Sequence, residues 1–285
     1  MADAHAEHGL RTPAWLRWSL IAGAVLVMSL LVVLPLLMVL VSAFGKGFAA
    51  WWAALTTPDA ISALNLTLLT AAIVIPVNAV FGVFAAWALV RFEFPGKRAL
   101  LALVDLPFAV SPVVAGLCLV LLFGSQGWFA DILRAHDVKI LFARPGIVLA
   151  TLFITFPFVV RELVPLMQQQ GSEEEVVARS LGANAWTMFF RVTLPNIKWG
   201  LLYGVLLCGA RAMGEFGAVS VVSGHIRGLT NTLPLHIEIL YNEFDSTAAF
   251  AVSSLLAGLA LVTLVLKFWL EARHGDALAQ SHRRH

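Results

Sequence analysis

Charged residues are scarce in this sequence. Only 13% of its 285 residues are Asp, Glu, Lys or Arg, whereas 60% are hydrophobic, and the mean hydropathy is +0.86. An ordinary soluble domain has about 25% charged and roughly 45–50% apolar residues. The composition therefore predicts a chain embedded in lipid. The formal net charge of +2, carried by basic residues scattered at the predicted membrane borders, also excludes a nucleic-acid interface.

Cysteine is rare as well, and its placement argues against disulfide and zinc sites. Both cysteines, Cys118 and Cys208, fall inside long apolar stretches, where we expect small buried core residues. Four of the eight histidines lie in the polar tails and are expected to be solvated rather than bound to a metal: His5, His8, His282 and His285. The sequence thus predicts no metal site.

The sequence motifs of nucleotide binding and of hydrolysis are missing. The phosphate-binding pattern G-x-x-x-x-G-K-[ST] does not occur, because Lys46 is followed by Gly47 and Lys97 by Arg98. Neither H-E-x-x-H nor G-x-S-x-G occurs. We therefore predict that the chain is not an enzyme and that any energy it uses comes from another protein. No internal repeat stands out, which weakens an interpretation as an inverted-repeat secondary transporter.

Long apolar stretches dominate what is present. Each of six stretches is long enough to cross a hydrocarbon core of about 30 Å, for which about 20 helical residues suffice. The first is too long for the core of a signal peptide, so we expect it to be retained. Their continuous apolar character, without alternation, excludes an outer-membrane barrel. The prediction is an all-α membrane domain over residues 15–271, with polar tails at 1–14 and 272–285. The six predicted spans are Ser19–Phe44, Ala63–Val90, Ala99–Phe123, Gly146–Met167, Trp199–Val222 and Thr247–Leu270.

The distribution of lysine and arginine predicts the orientation of the chain. With the N-terminus in the cytoplasm, thirteen of the nineteen basic residues fall on the inner side, five in the outer loops, and Arg211 within a span. This excess satisfies the positive-inside rule. Both termini and the loop at 171–195 are then cytoplasmic.

Two of the outer loops contain helix-forming segments. The loop at 124–144 includes the sequence WFADILRAH, which predicts a short interfacial helix. In the loop at 225–246, Pro234 suits the first position of a helix whose apolar face includes Leu235 and Ile239. This second loop is either a solvated cap over the membrane domain or a docking site for an external protein.

The loop at 171–195 is a charged, helix-forming segment between two apolar stretches. Ser172 and Glu175 have the S-x-x-E spacing of a capping box, with two further glutamates in the same turn. Gly182 suits the C′ position, where a positive φ closes a helix. A second helical run at 186–192 is expected to end before the Leu-Pro dipeptide that follows it. A folded helical hairpin on a membrane domain predicts a docking surface for a soluble partner.

A pair of opposite charges lies inside the fifth predicted span. Arg211 and Glu215 are four residues apart and can pair along one helix face, which also holds Gly200, Gly204 and Cys208. This face should meet protein rather than lipid, because small residues permit close helix contact and charges are costly in hydrocarbon. The pair either locks helices together or contributes to function.

The third predicted span combines a carboxylate with two prolines. Asp105, near its start, either pairs with Arg211 or lies near the cytoplasmic interface. Pro107 and Pro112 each remove a helical hydrogen bond. Broken backbone at membrane depth is tolerated where it packs in protein or lines a cavity. The prolines therefore form either a packing kink or the lining of a pathway, to which Ser111 would contribute.

The loop at 171–195 resembles the EAA loop of ABC-importer permeases. That pattern is E-A-A-x-x-x-G, then nine residues, then I-x-L-P. Here nine residues separate Gly182 from the run Val192-Thr-Leu194-Pro195. The E-A-A triplet corresponds to Val176-Val177-Ala178, so its glutamate is missing, and Glu175 stands one position earlier. Because the spacing, Gly182 and the Leu194-Pro195 dipeptide match the pattern, the resemblance implies that the loop is functional.

The resemblance extends over almost the whole chain. The runs DLPFAVSPVVAGL, TFPFVVRELVP, RVTLPNIKWGLLYG and ARAMGEFGAVSVVSGHIRG are similar to permeases of sulfate/thiosulfate importers, and more narrowly to the W-type subunit. This implies six spans in the type I importer (MetI-like) fold, in a bacterial inner membrane, and anion translocation by alternating access. The implied partners are a T-type permease, two copies of a cytoplasmic ATPase and a periplasmic sulfate/thiosulfate-binding protein. ATP and magnesium would bind to the ATPase, and this chain would carry no cofactor.

The resemblance also implies roles for individual residues. We expect Arg211 and Glu215 chiefly to stabilise the structure and to gate the passage, with anion selectivity mostly in the binding protein. The implied ATPase-docking residues are Ser172, Glu173, Glu174, Glu175, Val176, Val177, Ala178, Gly182, Ala183, Leu194 and Pro195. The candidates for lining or gating the passage are Asp105, Pro107, Ser111, Pro112, Arg211 and Glu215.

Two alternatives to a sulfate/thiosulfate permease stay open. One is a permease for molybdate, tungstate or phosphate, and the other, in a different class, is an ion-coupled secondary transporter.

Overall fold

The computed structural model describes residues 13–279, which form helices joined by short loops. Residues 1–12 and 280–285 lie outside the described part, and with them most of the predicted N-terminal tail, the end of the C-terminal tail and the four tail histidines. The helices of the described part are α1 Ala14–Met28, α2 Leu34–Phe44, α3 Phe48–Leu55, α4 Pro58–Arg91, α5 Lys97–Ala109, α6 Pro112–Phe123, α7 Ala130–Ala135, α8 Arg144–Gln170, α9 Glu173–Ser180, α10 Ala185–Met188, α11 Leu194–Met213, α12 Gly217–Ser223, α13 Leu233–Asn242 and α14 Ser246–Ala279, with π-helical segments at Ser29–Val33 and Phe189–Thr193.

Four straight stretches are long and apolar enough to cross a membrane. They are Trp15–Phe44, Pro58–Arg91, Arg144–Gln170 and Ser246–Leu270. Two further helix pairs meet the same test only when joined, because α5 and α6 are bent by 111° and Ala185–Met213 is bent by 51° against α12. The spans predicted at 99–123 and 199–222 are therefore broken helices rather than straight ones. At least four apolar spans are present, or six if each bent pair is one span.

Proline explains the sharper of the two breaks. Pro107 lies inside α5 and cannot donate a backbone hydrogen bond, and Pro112 begins α6. A residue before proline is pushed out of the α region, and Ser111 accordingly has φ −57° and ψ 135°. Val110 is extended as well. Two successive extended residues turn the chain between the helices.

Two other prolines are accommodated without a break. Pro35 and Pro195 each lie two residues after the end of a π-helical segment, and the carbonyl four residues before each proline lies within that segment. In a regular α turn the proline ring would clash with that carbonyl, whereas a π turn is wider. The prediction that the run at 186–192 ends before Leu194-Pro195 is therefore wrong. Residues 185–213 form one continuous helix.

Small residues bring α4, α8 and α11 into close contact. A Cβ on Gly82 of α4 would lie 2.5 Å from Val159 Cγ1 of α8, and one on Gly204 of α11 would lie 3.2 Å from the Cα of the same valine. Gly200 and Cys208 are buried on the same face of α11 as Gly204. The predicted protein-facing face of this helix is thus confirmed. These contacts make the three helices the centre of the fold.

A polar contact lies inside this apolar centre. The Asn78 amide of α4 donates to Thr155 Oγ1 of α8 at 2.7 Å and to Cys208 Sγ of α11 at 3.4 Å. All three side chains are buried. Cys208 is thus the small core residue that was predicted, whereas the same expectation for Cys118 is wrong, because Cys118 is exposed on the single chain. Each cysteine is a free thiol.

The end of the fold that carries α13 is covered by short helices. The helix predicted within WFADILRAH is α7, and the helix predicted to begin at Pro234 is α13, which begins one residue earlier, at Leu233. Leu235, on the inner face of α13, is fully buried. The backbone N–H of Leu233 donates to Thr67 Oγ1 of α4 at 2.8 Å. This end is called the α13 end below, and the opposite end, where α9 and α10 lie, is called the hairpin end.

Candidate functional site

The hairpin end presents the charged helix α9, and Gly182 closes it. Gly182 has φ +88°, its N–H donates to the carbonyl of Arg179, and the N–H of Ala183 donates to the carbonyl of Ala178, each at 3.0 Å. These two bonds form a Schellman motif, as the sequence predicts. Apart from Gly182 itself and its two chain neighbours, no atom of the described residues lies within 4 Å of a Cβ built on Gly182. The backbone conformation, rather than lack of space, therefore favours glycine.

The first turn of α9 differs from the prediction. Ser172 occupies the N-cap position, but its side chain makes no capping bond, so the predicted capping box is wrong. Glu175 instead turns inward and is 7% exposed. Its Oε2 lies 2.7 Å from Arg91 Nε, and its Oε1 accepts a hydrogen bond from Thr193 at 2.7 Å. Opposite charges attract strongly where water is largely excluded, so the guanidinium draws this carboxylate inward and away from the capping position.

The other predicted docking residues mostly face outward. Glu173 and Glu174 are exposed, and Glu174 accepts a hydrogen bond from the Asn196 amide. Ser172 and Pro195 are exposed as well. Three residues of the predicted set are partly buried: Ala178, Ala183 and Leu194.

Large apolar side chains are exposed on the same hairpin and form what is called the apolar patch below. Leu181 is 83% exposed, and the rings of Trp186 and Phe190 stack with their centroids 6.0 Å apart. Val176 and Val177 of α9 complete the patch. Exposed apolar residues rimmed by polar ones mark interaction sites. The leucine and the two aromatic residues were missed from the sequence, although apolar side chains in a charged loop are a usable signal.

The breaks in the two bent helix pairs lie against each other. A Cβ on Gly217, at the start of α12, would lie 2.8 Å from Pro112 Cβ at the start of α6. One turn further, a Cβ on Gly116 would lie 2.8 Å from the carbonyl oxygen of Ala218. Of the two other residues predicted to line or gate the passage in this segment, Pro107 is buried and Ser111 is exposed. Pro112 thus packs against the first residue of α12, while the choice between a packing kink and a pathway lining stays a prediction for both prolines.

Arg211 and Glu215 pair across the second break. Arg211 Nη2 lies 2.9 Å from Glu215 Oε2, which confirms the predicted ion pair. The predicted continuous helix between them is wrong, because α11 ends at Met213. Glu215 is 2% exposed, and its Oε1 accepts a hydrogen bond from the backbone N–H of Ala218 at 3.0 Å. The carboxylate therefore binds the arginine and caps the first turn of α12 at once.

Asp105 pairs with Arg161 rather than with Arg211. Its Oδ1 lies 2.9 Å from Arg161 Nε, and the guanidinium of Arg161 lies 4.5 Å from the centre of the Phe108 ring. The alternative that Asp105 pairs with Arg211 is wrong, because α5 packs against α8 and brings Arg161 within reach instead. The two charged side chains are about half exposed.

A second charged cluster lies at the α13 end and was not identified from the sequence. Arg227 contacts Asp59, at the start of α4, and Glu243, just after α13. The guanidinium of Arg227 donates a hydrogen bond to the Glu243 carboxylate, which lowers the pKa of Glu243 and raises the pKa of Arg227. His236 is 2% exposed, and burial lowers the pKa of its imidazole. These contacts fasten the covering loop to α4.

Comparison with known proteins places the chain in a family. Residues 78–275 match the family described as binding-protein-dependent transport system inner membrane component. The chain is 50% identical over 273 residues to the sulfate transport system permease protein CysW of Escherichia coli strain K12, covering 95% of this chain and 94% of that protein. It is 37% identical over 252 residues to the permease protein CysT of the same strain, covering 88% and 91%.

A solved structure shares the fold. A chain of a bacterial alginate ABC transporter, crystallised with a periplasmic protein that holds an alginate pentasaccharide, superposes with a TM-score of 0.77 at 17% identity. The match covers 91% of this chain and 94% of that one. Since the family match spans more than half of the sequence, this chain belongs to the binding-protein-dependent transport system inner membrane components, the permeases of ABC transporters.

Proposed function

We propose that this chain is a permease subunit of an ATP-driven importer that carries sulfate and thiosulfate across a bacterial inner membrane. Near-complete alignment at 50% identity with the CysW permease supports this proposal, and the lower identity of 37% with CysT supports the W-type assignment. The chain then pairs with a T-type permease. We place six spans in the membrane, with both termini and the hairpin end in the cytoplasm.

The single observation that carries the proposal of energy coupling is the apolar patch between residues 176 and 190 of the hairpin. Its side chains project from a hairpin that the buried Glu175 fastens to Arg91 and Thr193. We propose that an ATPase subunit covers this patch, with two ATPase copies per complex and ATP and magnesium bound there. This chain contributes no catalytic group and binds no cofactor of its own.

The proposed mechanism is alternating access. Closure of the two ATPases brings the hairpins of the two permeases together, and the attached spans swing as rigid bodies. A loaded sulfate-binding protein docks at the α13 end, which includes residues 225–246, and releases its anion into the passage. The paired Glu215 cancels much of the field of Arg211, so these two residues act in structure and gating. Selectivity then lies mostly with the binding protein.

Two measurements test the proposal. The tagged chain is purified with its neighbours, and Leu181→Glu is compared with Phe244→Glu, a change at a 93% exposed residue of the α13 end. We expect the ATPase to co-purify with the wild type and with Phe244→Glu but not with Leu181→Glu. Undiminished capture by Leu181→Glu would contradict docking on the apolar patch.

The cargo is tested separately in a strain that lacks the transporter. We expect expression of the complete system to restore uptake of labelled sulfate, with thiosulfate as a competitor. Uptake of molybdate, tungstate or phosphate in place of sulfate would assign the chain to a related oxyanion importer. Uptake that persists without any ATPase would instead indicate an ion-coupled secondary transporter.

A further inference from the structure

Arg91, the last residue of α4, joins three helix ends. Its Nη2 donates to the carbonyl of Gly171 at 2.6 Å and its Nη1 to the carbonyl of Met167 at 3.4 Å, both at the end of α8. Its Nε lies 2.7 Å from Glu175 of α9. The arginine side chain is only 14% exposed. A single guanidinium therefore ties the start of the hairpin to the ends of two long helices.

Glu175 extends this connection to the helix on the other side of the hairpin. Its second oxygen accepts a hydrogen bond from Thr193 at 2.7 Å, and Thr193 is 2% exposed within the π-helical segment that leads into α11. The carboxylate has a cation on one side and a hydroxyl on the other. Removing one partner of a buried ion pair leaves the other charge uncompensated, so such a pair resists separation.

The backbone contains a glycine at each end of α9. The helix lies between two glycines with positive φ, Gly171 at +70° and Gly182 at +88°. Apart from each glycine and its two chain neighbours, no atom within residues 13–279 lies within 4 Å of a Cβ built on either one. Glycine permits large changes of backbone conformation. The chain can therefore bend at both ends of α9, and the buried contacts of Glu175 hold the helix to the membrane domain.

We propose that the Arg91–Glu175 pair is the link through which displacement of α9 moves α4 and α11, with Arg91 as a positioning residue. This inference rests on the proposed function, in which the ATPase displaces α9. Without the pair, α9 would follow the ATPase while pivoting at its two glycines. ATP hydrolysis would then continue, but less of the movement would reach the spans.

The test measures the number of anions transported per ATP hydrolysed by the complete transporter in proteoliposomes, with sulfate as the substrate. A variant that merely folds less well lowers the rate of anion transport and the rate of ATP hydrolysis together, so their ratio stays unchanged. We expect Arg91→Ala, Glu175→Ala and the double variant each to lower the ratio by about tenfold, within the usual range of couplings between sites. The effects should not multiply, because residues that act as one link are non-additive. An unchanged ratio in Arg91→Ala, or effects that multiply, would overturn the inference.

A matched control is available at the same end of the molecule. Glu93 pairs with Lys97 at 2.7 Å, and the Glu93 side chain is 88% exposed. We expect Glu93→Ala to leave the ratio unchanged, and a tenfold fall in this control would also overturn the inference. If Arg91→Ala does not fold, Glu175→Gln decides the question, because glutamine keeps the shape and the acceptor for Thr193 but loses the charge. An unchanged ratio in Glu175→Gln counts against the link.

The two proposals fail in different ways. If no ATPase co-purifies with the wild-type chain, the proposed function fails. If the ATPase is captured and sulfate transport is restored, but Arg91→Ala transports as many anions per ATP as the wild type, only the link between Arg91 and Glu175 is wrong.

Discussion

Asp105 and Arg161 form an ion pair of 2.9 Å between α5 and α8, although each side chain is about half exposed. Both residues lie within helices long and apolar enough, alone or as a bent pair, to cross a membrane. Charges at such positions are costly against lipid and face protein or water. We therefore expect this side of α5 and α8 to meet the passage or the second permease.

Neutralising either member of this pair should reduce transport. We expect Asp105→Ala and Arg161→Ala each to lower labelled sulfate uptake by about tenfold, because each leaves one charge without its partner, and exchange of the two charges to restore most of it. The exposed pair Asp131 and Arg134 serves as the control, since its loss should have no effect. Normal uptake by both single variants would contradict a role for the pair.

Gly182 provides a test of the hairpin geometry. A β-branched residue with positive φ is strained by roughly 1–2 kcal/mol, so Gly182→Val should distort the turn between α9 and α10. We expect ATP hydrolysis to continue in the inserted complex while sulfate uptake is lost. Gly182→Asn is the matched variant, because asparagine tolerates this conformation, and it should keep most of the uptake. Full uptake by Gly182→Val would argue against coupling through this hairpin.

Features that depend on neighbouring residues could be predicted from the sequence. The positive φ of Gly182, the proline in the first turn of α13 and the short helix α7 each follow from local patterns. The protein-facing side of α11 followed from helical spacing of small residues. Such patterns can be recognised in the sequence because they depend on residues within one or two turns of a helix.

Features that depend on distant residues could not be predicted in the same way. The capping box was wrong because Arg91 and Thr193 compete for Glu175, and neither is its neighbour in sequence. The partner of Asp105 depends on the packing of α5 against α8. The helix through Pro195 depends on a π turn, whereas proline ordinarily ends an α-helix.

His236 predicts a pH dependence of stability. Burial is the main cause that lowers the pKa of its imidazole in the folded chain, and Arg227 lowers it further, against the opposing effects of Asp59 and Glu243. In the unfolded chain the imidazole titrates near its ordinary value of 6.5. Below that pH the unfolded chain binds the extra proton, so the stability that this residue contributes is present above 6.5 and falls as the pH drops.

The measurement is the thermal unfolding of the purified complex between about pH 7.5 and pH 5.5, a range in which histidine is the side chain that ordinarily titrates. We expect the midpoint temperature of unfolding to decrease in the wild type as the pH is lowered, and to decrease less in His236→Gln. The lowered pKa of Glu243 acts only below its ordinary value of 4.5 and does not contribute in this range. Parallel profiles for the two proteins would show that His236 is not the responsible group.

Glu215 has two partners, and substitutions can separate them. Its Oε2 pairs with Arg211, while its Oε1 accepts the N–H of Ala218 in the first turn of α12. Glutamine keeps an acceptor for that N–H but loses the charge, whereas alanine loses both. A buried donor without an acceptor costs about 1–3 kcal/mol, so Glu215→Ala should lower the unfolding midpoint and sulfate uptake more than Glu215→Gln does.

Exchange of the two charges should therefore fail at this pair. An arginine at position 215 has no oxygen to accept the N–H of Ala218, so Arg211→Glu with Glu215→Arg should remain as impaired as Glu215→Ala. The exchange of Asp105 with Arg161 is the matched comparison, because the charged atoms of that pair cap no helix in the described part of the chain. Full recovery of uptake in the exchanged Arg211–Glu215 variant would mean that charge pairing alone matters, and that the cap on α12 is dispensable for holding the two broken helices together.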